Sequence, residues 1–273
     1  MPDATGTATG LARIEAAFTG ARDDGRAALM PYMMGCFPTV DASVELARAY
    51  ADAGADLVEV GVPFSDPLAD GPLIHAAATK ALEGGADLEG ALAACEALGE
   101  GVPSVPMCYV NMILALGPRR FAGRLAAAGA AGAIVPDLPL EEVGEIRDAL
   151  AAEGMALIPL VAPTTPPERR RRICEGATGF VYVVSVAGVT GERDELPAHL
   201  EELVRAVQEE APVPAAVGFG IGTPEQAAAV GRAADGVIIG TRLVRAVFDA
   251  SDDAAGVEAA ASFLRDVRAA MDA

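Results

Sequence analysis

The sequence predicts a closed parallel (β/α)8 barrel, and the chain length, the apolar runs and the helical segments between them support that prediction. The chain has 273 residues, and a barrel of this kind typically needs about 250. Short runs rich in β-forming residues alternate with alanine-rich helical segments, which implies parallel strands joined by right-handed crossover connections. In chain order the eight runs are AALMPYMM, DLVEVGV, VPMCYV, AGAIVPD, MALIPLVAP, GFVYVVSV, VPAAVGFG and DGVIIGT.

The helical segments add two helices to those of the barrel units. The segment LARIEAAFTGARDDG lies before strand 1, and LEGALAACEALGE lies between strands 2 and 3. Glycines in AGAD, AAGAAGA and AAEGMA follow helical segments and precede strands, as expected for residues that end helices in the left-handed conformation. An open doubly wound sheet is the alternative, but no G-x-G-x-x-G motif follows the first strand, which disfavours its dinucleotide-binding form. Because no linker or low-complexity segment is visible, we expect a single barrel domain over residues 1–273.

Composition and charge disfavour several classes of function. The formal net charge of −19 argues against binding to nucleic-acid phosphates and is typical of a cytoplasmic protein. No apolar run is long enough to span a membrane, and the N-terminal segment lacks the basic and apolar regions of a signal peptide. The four cysteines and two histidines have no metal-ligand spacing, so we expect no metal site.

The second strand carries a carboxylate at its C-terminal end, where barrel enzymes carry out their chemistry. In DLVEVGV, the alternation of a strand puts Leu57 and Glu59 on one face and Val58 and Val60 on the other. The valines suit the face under the helices, so we expect Glu59 to point into the barrel near its mouth. Burial there would raise the pKa of Glu59 towards a value useful for proton transfer. The alternative is a glutamate at a strand end that reaches solvent, and the strand pattern alone does not decide between the two.

The loop after this strand, VPFSDPLADGP, contains Asp66 and Asp70 together with prolines and a glycine that set its shape. Two acidic side chains on a stiffened loop beside Glu59 are interpreted as parts of a catalytic set. For either residue taken singly, a turn in which the carboxylate accepts hydrogen bonds from backbone N–H groups is an equally good interpretation.

Glycine-containing segments follow strands 6, 7 and 8, namely AGVTG, GFGIGTP and IGTRLV. Glycine lets backbone N–H groups approach an oxyanion closely, and the loops after strands 7 and 8 form the usual phosphate site of these barrels with a helix N-terminus. Thr223 and Pro224 are interpreted as the start of one helix, and Gly240 and Thr241 as the start of another. Such a site needs no lysine, so an acidic protein can hold an anionic substrate. The alternative is that these glycines serve only tight turns.

The stretch VEVGVPFSDPLADG resembles the signature of the tryptophan synthase α subunit family over all its residues, including both acidic positions of the loop. Further segments resemble the other strands and loops of the family, so the resemblance covers roughly residues 15–265. These segments are PYMMGCFP, MCYVN, GAIVPDLPLEE, LVAPTTP, YVVSVAGVTG, VGFGI and DGVIIGTRLV. Three positions depart from the family pattern: Cys36 where glycine is common, Met112 where proline is common, and Val186 where some members have arginine.

The resemblance implies a lyase of L-tryptophan biosynthesis that splits indole-3-glycerol phosphate into indole and glyceraldehyde 3-phosphate by retro-aldol cleavage. The bond to the glycerol carbon breaks only after indole C3 gains a proton, which leaves positive charge on the ring. Asp70 is the candidate to stabilise this charge, and Glu59 is the candidate to move protons at C3 and at the glycerol hydroxyl. Neither step needs a metal or an organic cofactor in this chain.

Four substrate-binding residues also follow from the resemblance, three of them in the indole pocket. Tyr32 on strand 1 would line the pocket, together with Met107 and Tyr109 on one face of strand 3. Tyr182 on strand 6 would lie beside Glu59, although a tyrosine on a strand is more often simply part of the core.

The resemblance further implies a mobile loop that begins at AGVTG and closes over the active site. Thr190 in this loop would approach Asp70 on closure, which would exclude water and order the carboxylate. The residues implied to bind the glycerol phosphate are Gly191, Gly220, Gly240 and Thr241.

In the family, indole passes to a β subunit that carries pyridoxal phosphate, so the resemblance implies this partner and assigns the cofactor to it. The loop of residues 63–72, with Asp66 and Pro67, would contact the β subunit in an α2β2 assembly. Two rival hypotheses are a stand-alone indole-releasing lyase with the same residues and a catalytically silent subunit that only activates a β partner. The presence of Glu59 and Asp70 counts against the silent subunit.

Overall fold

The chain folds into a parallel β-barrel surrounded by helices, as the alternation of strand and helix patterns predicts. The computed structural model describes residues 8–184, 198–218 and 220–273. Nine parallel strands are found there, in the order β5-β4-β3-β2-β1-β9-β8-β7-β6. The strands are β1 Ala28–Met34, β2 Val58–Gly61, β3 Ser104–Met107, β4 Gly132–Ile134, β5 Ala156–Ile158, β6 Leu160–Val161, β7 Val181–Val184, β8 Ala215–Gly218 and β9 Gly236–Ile239.

Helices connect the strands and cover the outside of the barrel. The α-helices in the described ranges are α1 Gly10–Asp23, α2 Val40–Asp52, α3 Pro72–Glu83, α4 Leu88–Leu98, α5 Val110–Leu116, α6 Pro118–Ala127, α7 Gly144–Ala152, α8 Pro167–Glu175, α9 Ala198–Glu210, α10 Pro224–Gly231, α11 Thr241–Phe248 and α12 Asp253–Met271. A short 3-10 helix covers Leu140–Glu142. Both predicted additional helices are confirmed, as α1 before the first strand and α4 between the second and third.

The predicted fifth strand is in fact two short strands, β5 and β6, with Pro159 between them. Proline has no N–H to donate to a neighbouring strand, so the ladder is interrupted there. The carbonyl of Pro159 still accepts a hydrogen bond of 2.9 Å from the Tyr182 N–H on β7. Because β5 and β6 stand at the two ends of the strand order and one residue apart in the chain, this interruption is where the barrel closes.

Side chains alternate between the inside and the outside of the barrel, as the strand period requires. Leu57 belongs to the buried cluster inside the barrel, whereas Val58 and Val60 belong to the cluster beneath the outer helices. Helix α1 contributes Ile14 and Phe18 to the inner cluster. The predicted orientation of the second strand is therefore confirmed, and the additional N-terminal helix packs against the barrel interior.

Candidate active site

Glu59 lies inside the barrel near the end of β2 and is only 1 % exposed. In the sheet it is level with Tyr32 on β1 and Val105 on β3. Burial, and then the charge of Asp70, raise its pKa from 4.5 to about 8, and the nearby Tyr182 hydroxyl offsets part of that rise. Neither carboxyl oxygen makes a hydrogen bond to any residue that the structure describes. Glu59 is therefore protonated at neutral pH and able to donate a proton.

Asp70 lies at the end of the loop between β2 and α3, where Tyr109 contacts the loop. The Tyr109 hydroxyl accepts a hydrogen bond of 3.1 Å from the Ala69 N–H. The Tyr109 ring stacks on Phe64 with 5.1 Å between ring centroids. Burial raises the pKa of Asp70, and the proximity of the Tyr109 hydroxyl and of His75 lowers it. The second acidic group is thus less deeply buried than Glu59 and is held by an aromatic side chain.

The prediction that Tyr109 lies on the third strand is wrong. Strand β3 ends at Met107, and Tyr109 is the N-cap residue of α5, a helix that the sequence pattern did not predict. Helix α5 begins there because the Val110 N–H finds a partner in the Asp137 carboxylate at 2.9 Å. Met107 is on β3 as predicted, half-buried beside the inner cluster.

Two glycines make room for tyrosine hydroxyls at the barrel mouth, and sequence reasoning missed both. A Cβ atom on Gly61 would lie 2.1 Å from the Tyr32 Oη atom, and one on Gly218 would lie 2.6 Å from the Tyr182 Oη atom. These glycines end β2 and β8, in VEVG and AAVG, and glycine at a strand end was the available signal for such a close approach. Burial and the nearby carboxylates raise the pKa of both tyrosines, so both hydroxyls stay protonated.

The groups that affect the pKa of Tyr32 show which predicted residues the fold brings together. The pKa of Tyr32 is raised by burial and then by the charges of Asp70, Glu59, Tyr109 and Tyr182. Residues from β1, β2, β7 and the two loops after β2 and β3 therefore share one cluster at the C-terminal end of the barrel. An arrangement of one buried, protonated carboxyl group and one less buried acid suits proton transfer next to a developing positive charge.

Glycines follow the neighbouring strands β8 and β9 on another side of the mouth. Gly220 is exposed, and a Cβ atom on it would meet nothing within 4 Å. Gly240 is the N-cap of α11, which begins at Thr241 and has no side-chain cap. At α10, by contrast, Thr223 caps the helix as predicted, and the Gln226 side chain accepts from the Gly222 N–H at 2.8 Å. Of these two helices, α11 is thus the one whose N-terminus has no side-chain cap.

Five other positions singled out from the sequence fall into two groups: three lie outside the described residues and two lie in the loop after β2. Thr190, Gly191 and Val186 lie outside the described residues. Asp66 is exposed and accepts from the Ser65 hydroxyl at 2.5 Å. Pro67 is partly exposed beside Leu68, whose exposed fraction is 85 %. The middle of the loop after β2 is therefore exposed to solvent, whereas Asp70 at its end is partly buried.

Neither a metal-binding cluster nor a membrane-spanning helix is present in residues 8–184, 198–218 and 220–273. No cluster of three or more His, Cys, Asp or Glu side chains in those ranges could hold a metal ion. No helix in those ranges combines the length and the apolar character needed to cross a membrane.

The fold and the site define an acid–base enzyme of the (β/α)8 class. One mouth of the barrel carries a buried, protonated carboxyl group, a second acid and a helix N-terminus that begins after a glycine. Comparison with known proteins narrows the class. The family model described as tryptophan synthase alpha chain matches residues 18–272. The tryptophan synthase alpha chain of Carboxydothermus hydrogenoformans is 48 % identical over 239 residues, which are 87 % of this chain and 90 % of that protein. The one from Roseiflexus castenholzii is 46 % identical over 261 residues, 94 % of this chain and 100 % of that protein.

Solved structures agree with this comparison. Tryptophan synthase of Mycobacterium tuberculosis superposes with a TM-score of 0.88 at 38 % identity, covering 96 % of this chain and 98 % of that one. The tryptophan synthase subunit alpha of Legionella pneumophila gives 0.86 at 32 % identity, covering 95 % and 98 %. The chain belongs to the tryptophan synthase alpha chain family. It is a lyase that cleaves indole-3-glycerol phosphate in tryptophan biosynthesis, needs no cofactor of its own, and forms a complex with a β subunit that carries pyridoxal phosphate.

Proposed function

We propose that Glu59 is the proton-transfer residue of this lyase and that Asp70 stabilises the positive charge that develops on the indole ring. The observation that carries the proposal is the burial of Glu59 at the barrel mouth, which raises its pKa to about 8. A general acid works best when its pKa lies near the working pH. Of the carboxylates in the described ranges, Glu59 is the buried one.

The protonation state of Glu59 gives an order to the steps. Protonated Glu59 donates its proton to indole C3, and the ring becomes a cation with its charge centred on the ring nitrogen. The resulting Glu59 carboxylate then takes the proton of the adjacent glycerol hydroxyl. As that oxygen becomes an aldehyde, the carbon–carbon bond breaks and its electron pair returns to the ring, releasing indole and glyceraldehyde 3-phosphate. One proton is given and one is recovered, so Glu59 ends the cycle protonated.

Asp70→Asn separates charge from hydrogen bonding at the second acid. Asparagine keeps an acceptor for the ring N–H but lacks the negative charge, and a charged acceptor stabilises by about 1.4 kcal/mol more than a neutral one, or about tenfold in rate. We expect kcat for indole-3-glycerol phosphate cleavage to fall about tenfold while binding of the substrate changes little. A rate equal to that of the wild type would exclude charge stabilisation by Asp70.

We further propose that the phosphate group binds at Gly220, Gly240 and Thr241, with Gly191 from the segment outside the described residues. Support comes from the open space at Gly220 and the uncapped start of α11. Anions are favoured at such helix N-termini because of the free N–H groups and the helix dipole.

A bulky side chain at Gly220 tests the phosphate site. Gly220→Val should fill the open space that a phosphate group would occupy and raise the dissociation constant of the substrate about tenfold or more. Binding of free indole, which has no phosphate, should change far less. Equal weakening of both ligands would indicate general distortion and would remove the support for this site.

We also propose roles for the partner subunit and for the remaining predicted residues. The exposed part of the loop after β2, with Asp66 and Pro67, is proposed to contact the β subunit, in an α2β2 assembly located in the cytoplasm. Tyr32, Met107, Tyr109 and Tyr182 are proposed to line the indole pocket, and Thr190 to order Asp70 when a loop closes over it. The chain is proposed to act as a single barrel domain.

Measuring cleavage of indole-3-glycerol phosphate with and without a saturating β subunit tests the function as a whole. Cleavage by the chain alone that rises on addition of the β subunit is the expected result. Cleavage that the β subunit does not change, with no complex formed, would favour a stand-alone lyase. Activation of the β subunit without any cleavage would identify a silent subunit and contradict the roles of Glu59 and Asp70.

A further inference from the structure

Asp137 lies in the loop after β4, yet its side chain acts on the loop after β3. The Asp137 Oδ1 atom accepts a hydrogen bond of 2.9 Å from the N–H of Val110, the first residue of α5. The N-cap residue of α5, Tyr109, makes no side-chain cap of its own. A carboxylate from the next βα unit therefore supplies the capping bond that this helix otherwise lacks.

The residue immediately before the capped Val110 N–H, Tyr109, is the one that contacts the loop after β2. Tyr109 is 3 % exposed; its hydroxyl accepts from the Ala69 N–H at 3.1 Å, and its ring stacks on Phe64. Phe64 stands near the start of this loop, and Ala69 immediately precedes Asp70. Tyr109 thus touches the loop near both of its ends, and one of those contacts is adjacent to the proposed charge-stabilising carboxylate.

The charges of two carboxylates affect the Tyr109 hydroxyl. Burial raises its pKa, and the charges of Asp70 and Asp137 add to that rise. The hydroxyl therefore keeps its proton. Its position is fixed by the hydrogen bond that it accepts from the Ala69 N–H, and Asp70 lies nearby.

We infer that Asp137 is a positioning residue for the cleavage reaction, which holds Tyr109 in place and, through Tyr109, holds Asp70. Contacts run from the loop after β4 to the start of α5, and from there to the loop after β2. Small displacements of a positioned group are expensive in catalysis, because the reacting groups must meet in a narrow range of distances. The inference rests on the proposed role of Asp70.

A double-mutant cycle between Asp137 and Tyr109 tests the inference in the complex with the β subunit. Asp137→Ala removes the acceptor and should lower kcat roughly tenfold, with KM changed less than about twofold. Asp137→Asn keeps an oxygen that can accept from the Val110 N–H, so it should restore kcat to within about twofold of the wild type. Because Asp137 acts through Tyr109, Asp137→Ala should have almost no further effect in the Tyr109→Phe background.

Three results would overturn the inference. These are wild-type kcat in Asp137→Ala, a loss in Asp137→Asn as large as in Asp137→Ala, and the same loss from Asp137→Ala with and without the Tyr109 hydroxyl. Asp252→Ala is the matched control, because Asp252 caps α12 with a bond of 2.8 Å to the Ala255 N–H. Asp252→Ala should reduce the free energy of unfolding by an amount similar to that of Asp137→Ala and should leave kcat unchanged. A lower kcat in Asp252→Ala would mean that general destabilisation explains the effect of Asp137→Ala.

Two further measurements keep the outcomes separate. If Asp137→Ala does not fold, Asp137→Ser replaces it. The serine side chain is too short for its hydroxyl to reach the Val110 N–H. Asp70→Asn distinguishes the inference from the proposed function. Normal cleavage by Asp70→Asn contradicts the proposed role of Asp70, whereas slow cleavage by Asp70→Asn with normal cleavage by Asp137→Ala contradicts only the positioning role of Asp137.

Discussion

Replacing Glu59 with glutamine should lower the rate of indole-3-glycerol phosphate cleavage at least ~10²-fold, the typical contribution of a general acid–base. Glutamine has nearly the same shape as glutamate, but it can neither give a proton to indole C3 nor take one from the glycerol hydroxyl. Both proton transfers proposed for this residue are therefore lost together. Because the proposed phosphate site follows β8 and β9 and does not include Glu59, substrate binding should survive.

The comparison is made on kcat and on the dissociation constant of the substrate, each with and without the β subunit. Glu210→Gln is the matched control, since Glu210 is a glutamate paired with Arg170 at the end of α9. It should leave kcat unchanged. Turnover by Glu59→Gln close to that of the wild type would remove Glu59 from the mechanism.

The same substitution should raise the free energy of unfolding of the isolated chain, by an amount that increases with pH. The native state keeps the Glu59 proton up to about pH 8, whereas the unfolded chain releases it near 4.5. Between these two values the folded state binds more protons than the unfolded state, so wild-type stability falls as pH rises. Glutamine does not titrate, and the gap between the two proteins should reach the order of 3 kcal/mol at pH 7.

Urea unfolding between about pH 5 and about pH 9 gives the measurement. The gap should be small near pH 5, widen as pH rises towards 8 and become constant above it. Glu210→Gln should show the opposite sign, because its hydrogen bond with Arg170 lowers the pKa of Glu210. The stability that Glu210 contributes is present above its pKa in the unfolded chain and is lost as pH falls through its pKa in the folded protein. A gap between Glu59→Gln and wild type that does not vary with pH would show that Glu59 does not titrate in this window.

Much of the fold follows from local patterns. The alternation of apolar runs and helical segments gave the order of elements, because each element is specified by side chains only a few residues apart. The period of a strand was enough to turn Leu57 inwards and Val58 outwards. Pro159 shows a limit of local patterns: MALIPLVAP predicts one strand, although the missing N–H of proline divides it into β5 and β6.

The candidate site depended more on contacts between distant parts of the chain. Helix α5 and the position of Tyr109 were missed because the cap that starts this helix comes from Asp137, 27 residues further along the chain. The roles of Gly61 and Gly218 were missed for a related reason. Each glycine makes room for a tyrosine hydroxyl from another strand, and only the packed barrel shows which side chain approaches.

By itself, the sequence determined the barrel elements, the strand face that Glu59 shares with Leu57 and the presence of a second acid on a stiffened loop, since these follow from residue spacing and local geometry. Only the tertiary structure decided that Glu59 is protonated at neutral pH. Its pKa is set by burial within the barrel, by the charge of Asp70 and by the Tyr182 hydroxyl, which come from separate parts of the chain. Desolvation and charge interactions depend on distance in space, and that distance exists only once the barrel has closed.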